Sequence, residues 1–234
     1  MSAKYCSKGR FITFEGLDGT GKSTQIQLLA SVLASRGVDL LIAREPGSTP
    51  LGEEVRAILL DSRHSEIAPY AELALLFACR AQLLHDVIEP ALEAGRWVLC
   101  DRFTDSSEAY QGGGRNLGSD AVRTLHKVLA NSCEPWMTVL LDGDLDTSLS
   151  RARFRNSVAG AGDEGRFEAE DAAFFQRVQQ RFREIAARDT HRVMMVDARR
   201  SVSMIHEEIV TNLDRRLWYE DDLVDTSARQ MAPG

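Results

Sequence analysis

Apolar positions along the chain fall into short continuous runs separated by longer stretches in which they recur at helical spacing. Residues 10–15, 38–43, 97–101, 138–141 and 193–197 are apolar runs of strand length. Ile26, Leu29 and Leu33 mark one face of a helix over 22–36, which Gly37 closes, and a shorter helix covers 51–60. Leu73, Leu76, Phe77, Leu83, Leu84 and Val87 line a long helix over 69–94, in which Pro90 should produce a kink or a new start. Further helices are predicted over 119–130, 146–155, 169–187 and 202–217. Strands alternate with helices, so the expected fold is α/β: a doubly wound sheet of five parallel strands with helices on both faces. The length suits one domain, placed at 10–218. Residues 1–9 read as a flexible polar N-terminus, 111–115 as a flexible glycine segment, 156–165 as a mobile loop and 219–234 as a disordered acidic tail.

The first run ends in Gly16-Leu17-Asp18-Gly19-Thr20-Gly21-Lys22-Ser23-Thr24, and this turn opens the first helix. That is the G-x-x-x-x-G-K-[ST] pattern in the strand–turn–helix setting its mechanics require. Glycines let successive N–H groups turn inward around a phosphate. Lys22 can reach the β- and γ-phosphates, Ser23 can offer its hydroxyl to Mg²⁺, and the helix N-terminus adds partial positive charge. A P-loop NTPase-type sheet binding a nucleotide triphosphate is therefore expected. Asp101, at the end of the third run, is placed where a second metal-holding acid belongs, and Arg102 follows it.

The net charge is −7 and the isoelectric point about 5.3. That balance argues against a general binder of nucleic acid or of a membrane surface, because affinity for such polyanions comes from basic patches. No apolar run is long enough to span a bilayer, the first ten residues lack the apolar stretch of a signal peptide, and a cytoplasmic location is expected. Cys6, Cys79, Cys100 and Cys133 are far apart, which points to free thiols rather than a disulfide framework or a zinc site.

The run Asp101-Arg102-Phe103-Thr104-Asp105-Ser106-Ser107-Glu108-Ala109-Tyr110-Gln111-Gly112-Gly113-Gly114-Arg115 resembles the signature of thymidylate kinases. So do Arg44-Glu45-Pro46-Gly47, Leu76-Phe77-Ala78-Cys79-Arg80-Ala81-Gln82 and Phe14-Glu15-Gly16-Leu17-Asp18, in family order. The resemblance implies transfer of the γ-phosphoryl of ATP to dTMP, with Mg²⁺, by a homodimer. It implies that Phe77 stacks on thymine, Arg80 donates to the base O4, Gln111 pairs with the base edge and Arg102 grips the acceptor phosphate. Asp18 matches an acid beside the 3′-hydroxyl, Tyr110 a residue crowding the sugar's 2′ side, and Glu45 and Ser106 further acceptor-site positions, Glu45 near the metal and its waters. Gly19 stands where one subgroup carries a loop arginine, so the cation for transfer should come from a lid at about 151–168. Arg151, Arg153, Arg155 and Arg166 flank it; Arg155 is the favoured catalytic residue and Arg166 the second, although residues 157–165 form an insertion there. Two rivals stay open: a kinase of the same fold with another acceptor, and a nucleotide-dependent switch, against which stands the absence of an N-K-x-D guanine motif.

Overall fold

The computed structural model describes residues 9–64, 66–159, 165–167 and 169–230, with the backbone alone for 155–159 and 219–230. Its centre is a parallel five-stranded sheet in the order β2-β3-β1-β4-β5, formed by β1 (Phe11–Glu15), β2 (Leu40–Arg44), β3 (Trp97–Asp101), β4 (Met137–Asp142) and β5 (Val193–Asp197). β1 lies in the middle, pairing Ile12 with Leu99 of β3 and with Met137 of β4.

Period-two alternation along β1 sends its side chains to opposite faces. Ile12 and Phe14 enter one core with Ile26, Leu29 and Leu33 of α1 (Lys22–Ser35) and Ile205, Ile209 and Leu213 of α9 (Val202–Gln230). On the other face Phe11 packs with Leu83, Leu84, Ile88 and Leu92. These come from α3 (Pro69–Leu83), a π-helical turn (Leu84–Ile88) and α4 (Glu89–Glu93). The expected break at Pro90 is thus a π-turn just ahead of the proline, which enters the first turn of α4, where its missing N–H is least costly. A third cluster joins Leu17 and Leu140 to Phe174, Phe175, Val178 and Phe182 of α8 (Ala172–Arg188). The remaining helices are α2 (Pro50–Leu60), α5 (Thr104–Ser107), α6 (Ser119–Leu129) and α7 (Leu145–Ala159).

Four expectations from the sequence change. Gly9 is fixed rather than frayed: its N–H donates to Leu92 O at 3.2 Å, and a Cβ there would meet Arg96 O at 2.2 Å. The glycine segment is a buried π-helix (Glu108–Gly114) continuing α5. Its glycines admit α8, since a Cβ at Gly114 would lie 2.5 Å from the Phe174 ring and one at Gly113 2.8 Å from Arg181 Cβ. Backbone over 156–159 is helical, while 160–164 and 168 of the expected lid lie outside the described residues. Finally, α9 continues past Leu217 to Gln230, so backbone read as a disordered tail is helical; no glycine or proline interrupts the chain between Arg199 and Pro233.

Candidate active site

The loop between β1 and α1 has the backbone that its glycines allow. Gly16, Gly19 and Gly21 take φ of +127°, +81° and +100°, values that a side chain resists. At Gly19 a Cβ would also meet Ser148 O at 2.1 Å. Lys22 is buried, and its ammonium donates to the carbonyls of Gly16 (3.1 Å) and Leu17 (3.0 Å) across the loop mouth. Burial, then the nearby Arg102 charge, lowers its pKa. Thr20 ties the turn by donating to Leu17 O at 2.8 Å. At the foot of the loop Ser23 Oγ donates to Asp101 Oδ2 at 3.2 Å, and Asp101 Oδ1 is buried with no partner among the described residues. A hydroxyl and a carboxylate with an unused buried oxygen form an all-oxygen donor set, which fits Mg²⁺.

Strand order sets two clefts on either side of this loop, at the carboxyl ends of the strands where ligands of open α/β sheets bind. One is walled by residues that follow β2 and β3, with Asp18 from the loop itself and Leu76, Arg80, Tyr110, Gln111 and Phe167 from further along the chain. The other follows β4 and β5, with Gly143, Asp144, Arg199 and Arg200 on its walls.

Arg102 stands between the loop and the first cleft. Its φ is +72°, a left-handed backbone that costs a non-glycine residue about 1–2 kcal/mol. Its guanidinium donates to Asp18 Oδ1 (3.0 Å), Ser106 Oγ (2.8 Å) and the Tyr110 hydroxyl (3.3 Å). Burial opposes its charge, yet Tyr110, Asp18, Asp101 and Glu15 together hold its pKa above the usual value. Glu15 locks the turn that carries Arg102: Oε1 accepts the Phe103 N–H (2.7 Å) and Oε2 the Ser106 hydroxyl (2.5 Å). Burial, then the charge of Asp105, pushes Glu15 up to about 8. Tyr110 is pushed up to about 12, chiefly by burial, and its ring is wedged edgewise among Phe167, Phe174 and Phe182.

Arg80 is buried, with Nε and Nη2 donating to Glu45 Oε2 (2.8 and 2.6 Å) and Nη2 also to Ser107 (2.9 Å), while its Nη1 has no partner among the described residues. Glu45 thus pairs with Arg80 through Oε2, its Oε1 is buried with no partner among the described residues, its N–H donates to Asp101 O at 2.9 Å, and burial raises its pKa against the pull of that arginine. Gln111 gives its Nε2 to Glu72 at 2.7 Å.

Most of the expected residues converge: Asp18, Glu45, Arg80, Arg102, Ser106, Tyr110 and Gln111 all line the first cleft. Phe77 does not. It is fully buried against Leu73 and Val122, with the Arg80 guanidinium 4.4 Å above its ring. On a helix Leu76 and Arg80 share a face while Phe77 is turned about 100° away, so Leu76 is the apolar side chain on the cleft wall and Phe77 lies beneath Arg80. Arg166, expected as the second lid cation, is buried and donates from Nε to Leu59 O (2.5 Å) and from Nη2 to Glu72 Oε2 (2.6 Å). Arg155 lies on α7 with its side chain outside the described residues. The sequence reading missed Leu76, Ser107 and Phe167; Leu76 could have been found by pairing it with Arg80 at i,i+4.

Comparisons with known proteins give one answer. The family model described as thymidylate kinase matches residues 14–209. A thymidylate kinase of Pelobacter propionicus is 43% identical over 205 residues, covering 88% of this chain and 94% of that protein. One of Methylococcus capsulatus is 43% identical over 209 residues, covering 89% and 97%. The crystal structure of thymidylate kinase from Ehrlichia chaffeensis superposes with a TM-score of 0.71 at 30% identity, over 88% of this chain and 99% of that one.

Proposed function

The chain belongs to the thymidylate kinase family and phosphorylates dTMP to dTDP with ATP, and on that premise we propose how its residues divide the reaction. ATP phosphates lie in the loop of Gly16, Leu17, Asp18, Gly19, Thr20, Gly21, Lys22, Ser23 and Thr24, held by main-chain N–H groups and by Lys22, which exchanges its two carbonyl partners for phosphate oxygens. The adenosine end extends into the cleft after β4 and β5. Ser23 and Asp101 would hold Mg²⁺, which when bound neutralises charge on the phosphate oxygens.

Acceptor dTMP occupies the other cleft. Its phosphate takes the fork of Arg102, which is charged and already aimed by Asp18, Ser106 and Tyr110. The base lies along Leu76, with the unpartnered Arg80 Nη1 donating to O4 and Gln111 facing N3. Tyr110 limits the sugar face and Asp18 stands near its 3′-hydroxyl. Transfer then needs little more than alignment of two anions and neutralisation of spread charge; Arg155 on α7 remains the proposed lid cation. A cytoplasmic homodimer belongs to the same proposal and is checked by light scattering.

The single observation that carries this reading is the Arg102–Asp18 pair, which joins the phosphate loop to the cleft beyond β2 and β3. A coupled assay with MgATP and dTMP, dUMP, dCMP, dGMP or thymidine tests it. Turnover should be highest with dTMP; a clear preference for another acceptor would reject the base assignment.

A further inference from the structure

Glu72, on α3, has no exposed surface and is not among the residues that line the acceptor cleft, yet it collects donors from three side chains in two distant parts of the chain. Oε1 accepts Gln111 Nε2 (2.7 Å) and Arg115 Nε (3.3 Å), and Oε2 accepts Arg166 Nη2 (2.6 Å) and Arg115 Nη2 (3.1 Å). Arg115 reaches on to Glu170 at 2.6 Å, and both arginines lie over the ring of Phe167, a wall of the cleft.

An ionised carboxylate only accepts hydrogen bonds, so it decides which end of an amide faces it. Gln111 must turn its NH₂ to Glu72, and because Gln111 also lines the cleft, the opposite end of its amide, Oε1, is the one left to face a base there. Arg80, on the wall of the same cleft, holds a buried donor, Nη1, with no partner among the described residues. The pair presents one donor and one acceptor, which match a pyrimidine carrying a 4-oxo group and an N3–H. A 4-amino pyrimidine has the opposite pattern at both atoms and leaves both protein groups unpaired, the arrangement that rejects an analogue most strongly.

We propose that Glu72 is a positioning residue for base selectivity: it fixes the Gln111 amide so that the cleft accepts a 4-oxo and refuses a 4-amino pyrimidine nucleotide, and through Arg166 it ties the 165–167 segment to that choice. The proposal rests on the base lying in this cleft.

Its test is the ratio of kcat/KM for dTMP to that for dCMP. In Glu72→Gln the two arginines retain the one remaining oxygen, so the new NH₂ turns toward Gln111 and drives its amide to rotate. The preference for dTMP should fall about tenfold or more, the worth of one buried hydrogen bond, with the loss in KM for dTMP. Gln111→Leu should lower the preference similarly, and the double variant should lower it no further. Should Glu72→Gln fail to fold, Glu72→Asp keeps the charge between the arginines while withdrawing it from Gln111, and is expected to lower the preference as well. Equal losses for both nucleotides, or additive losses in the double variant, would overturn the proposal. Failure of the wild type itself to use dTMP would instead overturn the base assignment.

Discussion

Arg102 concentrates the chemistry of the site in one side chain. It sits in a left-handed backbone, held by Glu15 through Phe103 and Ser106, and its guanidinium already occupies the geometry in which an anion would meet it. Arg102→Ala should leave the fold intact and lower kcat/KM for dTMP by about two orders of magnitude or more, mostly through KM. Steady-state kinetics with dTMP varied at saturating MgATP reads this directly. Glu15 makes a different prediction. Between its ordinary value of 4.5 and about 8, the folded protein retains a proton that the unfolded chain has released. Its contribution to stability is therefore full at acid pH and is lost as pH rises through 8. Melting temperatures of wild type and Glu15→Gln, measured from pH 5 to 9 (about the span of that titration), should show the wild type losing stability relative to the variant toward the alkaline end. A constant difference would mean that Glu15 is ionised throughout.

At the scale of elements, what could be read from the chain was local and periodic. The five strands and the phosphate loop were legible because apolar runs, turn glycines and Lys22 carry their own reason for being where they are. Rotation of a helix was misread: the 76–82 string marks α3, and the i,i+4 spacing that puts Leu76 on the cleft-facing side with Arg80 was passed over for Phe77. Pairings across long separations were hidden, as with Arg166 and Glu72, which are 94 positions apart. The glycine run misled for another reason. Glycine signals freedom when exposed, but here it creates room for α8 against the π-helix. Gly114→Ala should accordingly destabilise the protein by about 1–3 kcal/mol through overpacking against Phe174. Denaturant unfolding would show it, and because Gln111 lies in the same π-helix, KM for dTMP should rise too.

Across the whole molecule, the order β2-β3-β1-β4-β5 explains why one loop can serve two ligands. The loop leaves the central strand, so one cleft opens beyond β2 and β3 and the other beyond β4 and β5, and the phosphates of two nucleotides can meet over it. The acceptor side is a buried, hydrogen-bonded assembly of aromatic rings and arginines, while the β4–β5 side is built largely of charged residues that are exposed or half-buried. Selectivity therefore belongs to the acceptor side. A crystal structure of the protein with dTMP and a non-hydrolysable ATP analogue bound together tests this most directly. The thymidine phosphate should lie on Arg102, with the base against Leu76 between Arg80 and Gln111 and the triphosphate in the loop at Lys22. A thymidine base found in the β4–β5 cleft, or a phosphate held away from Arg102, would contradict the account.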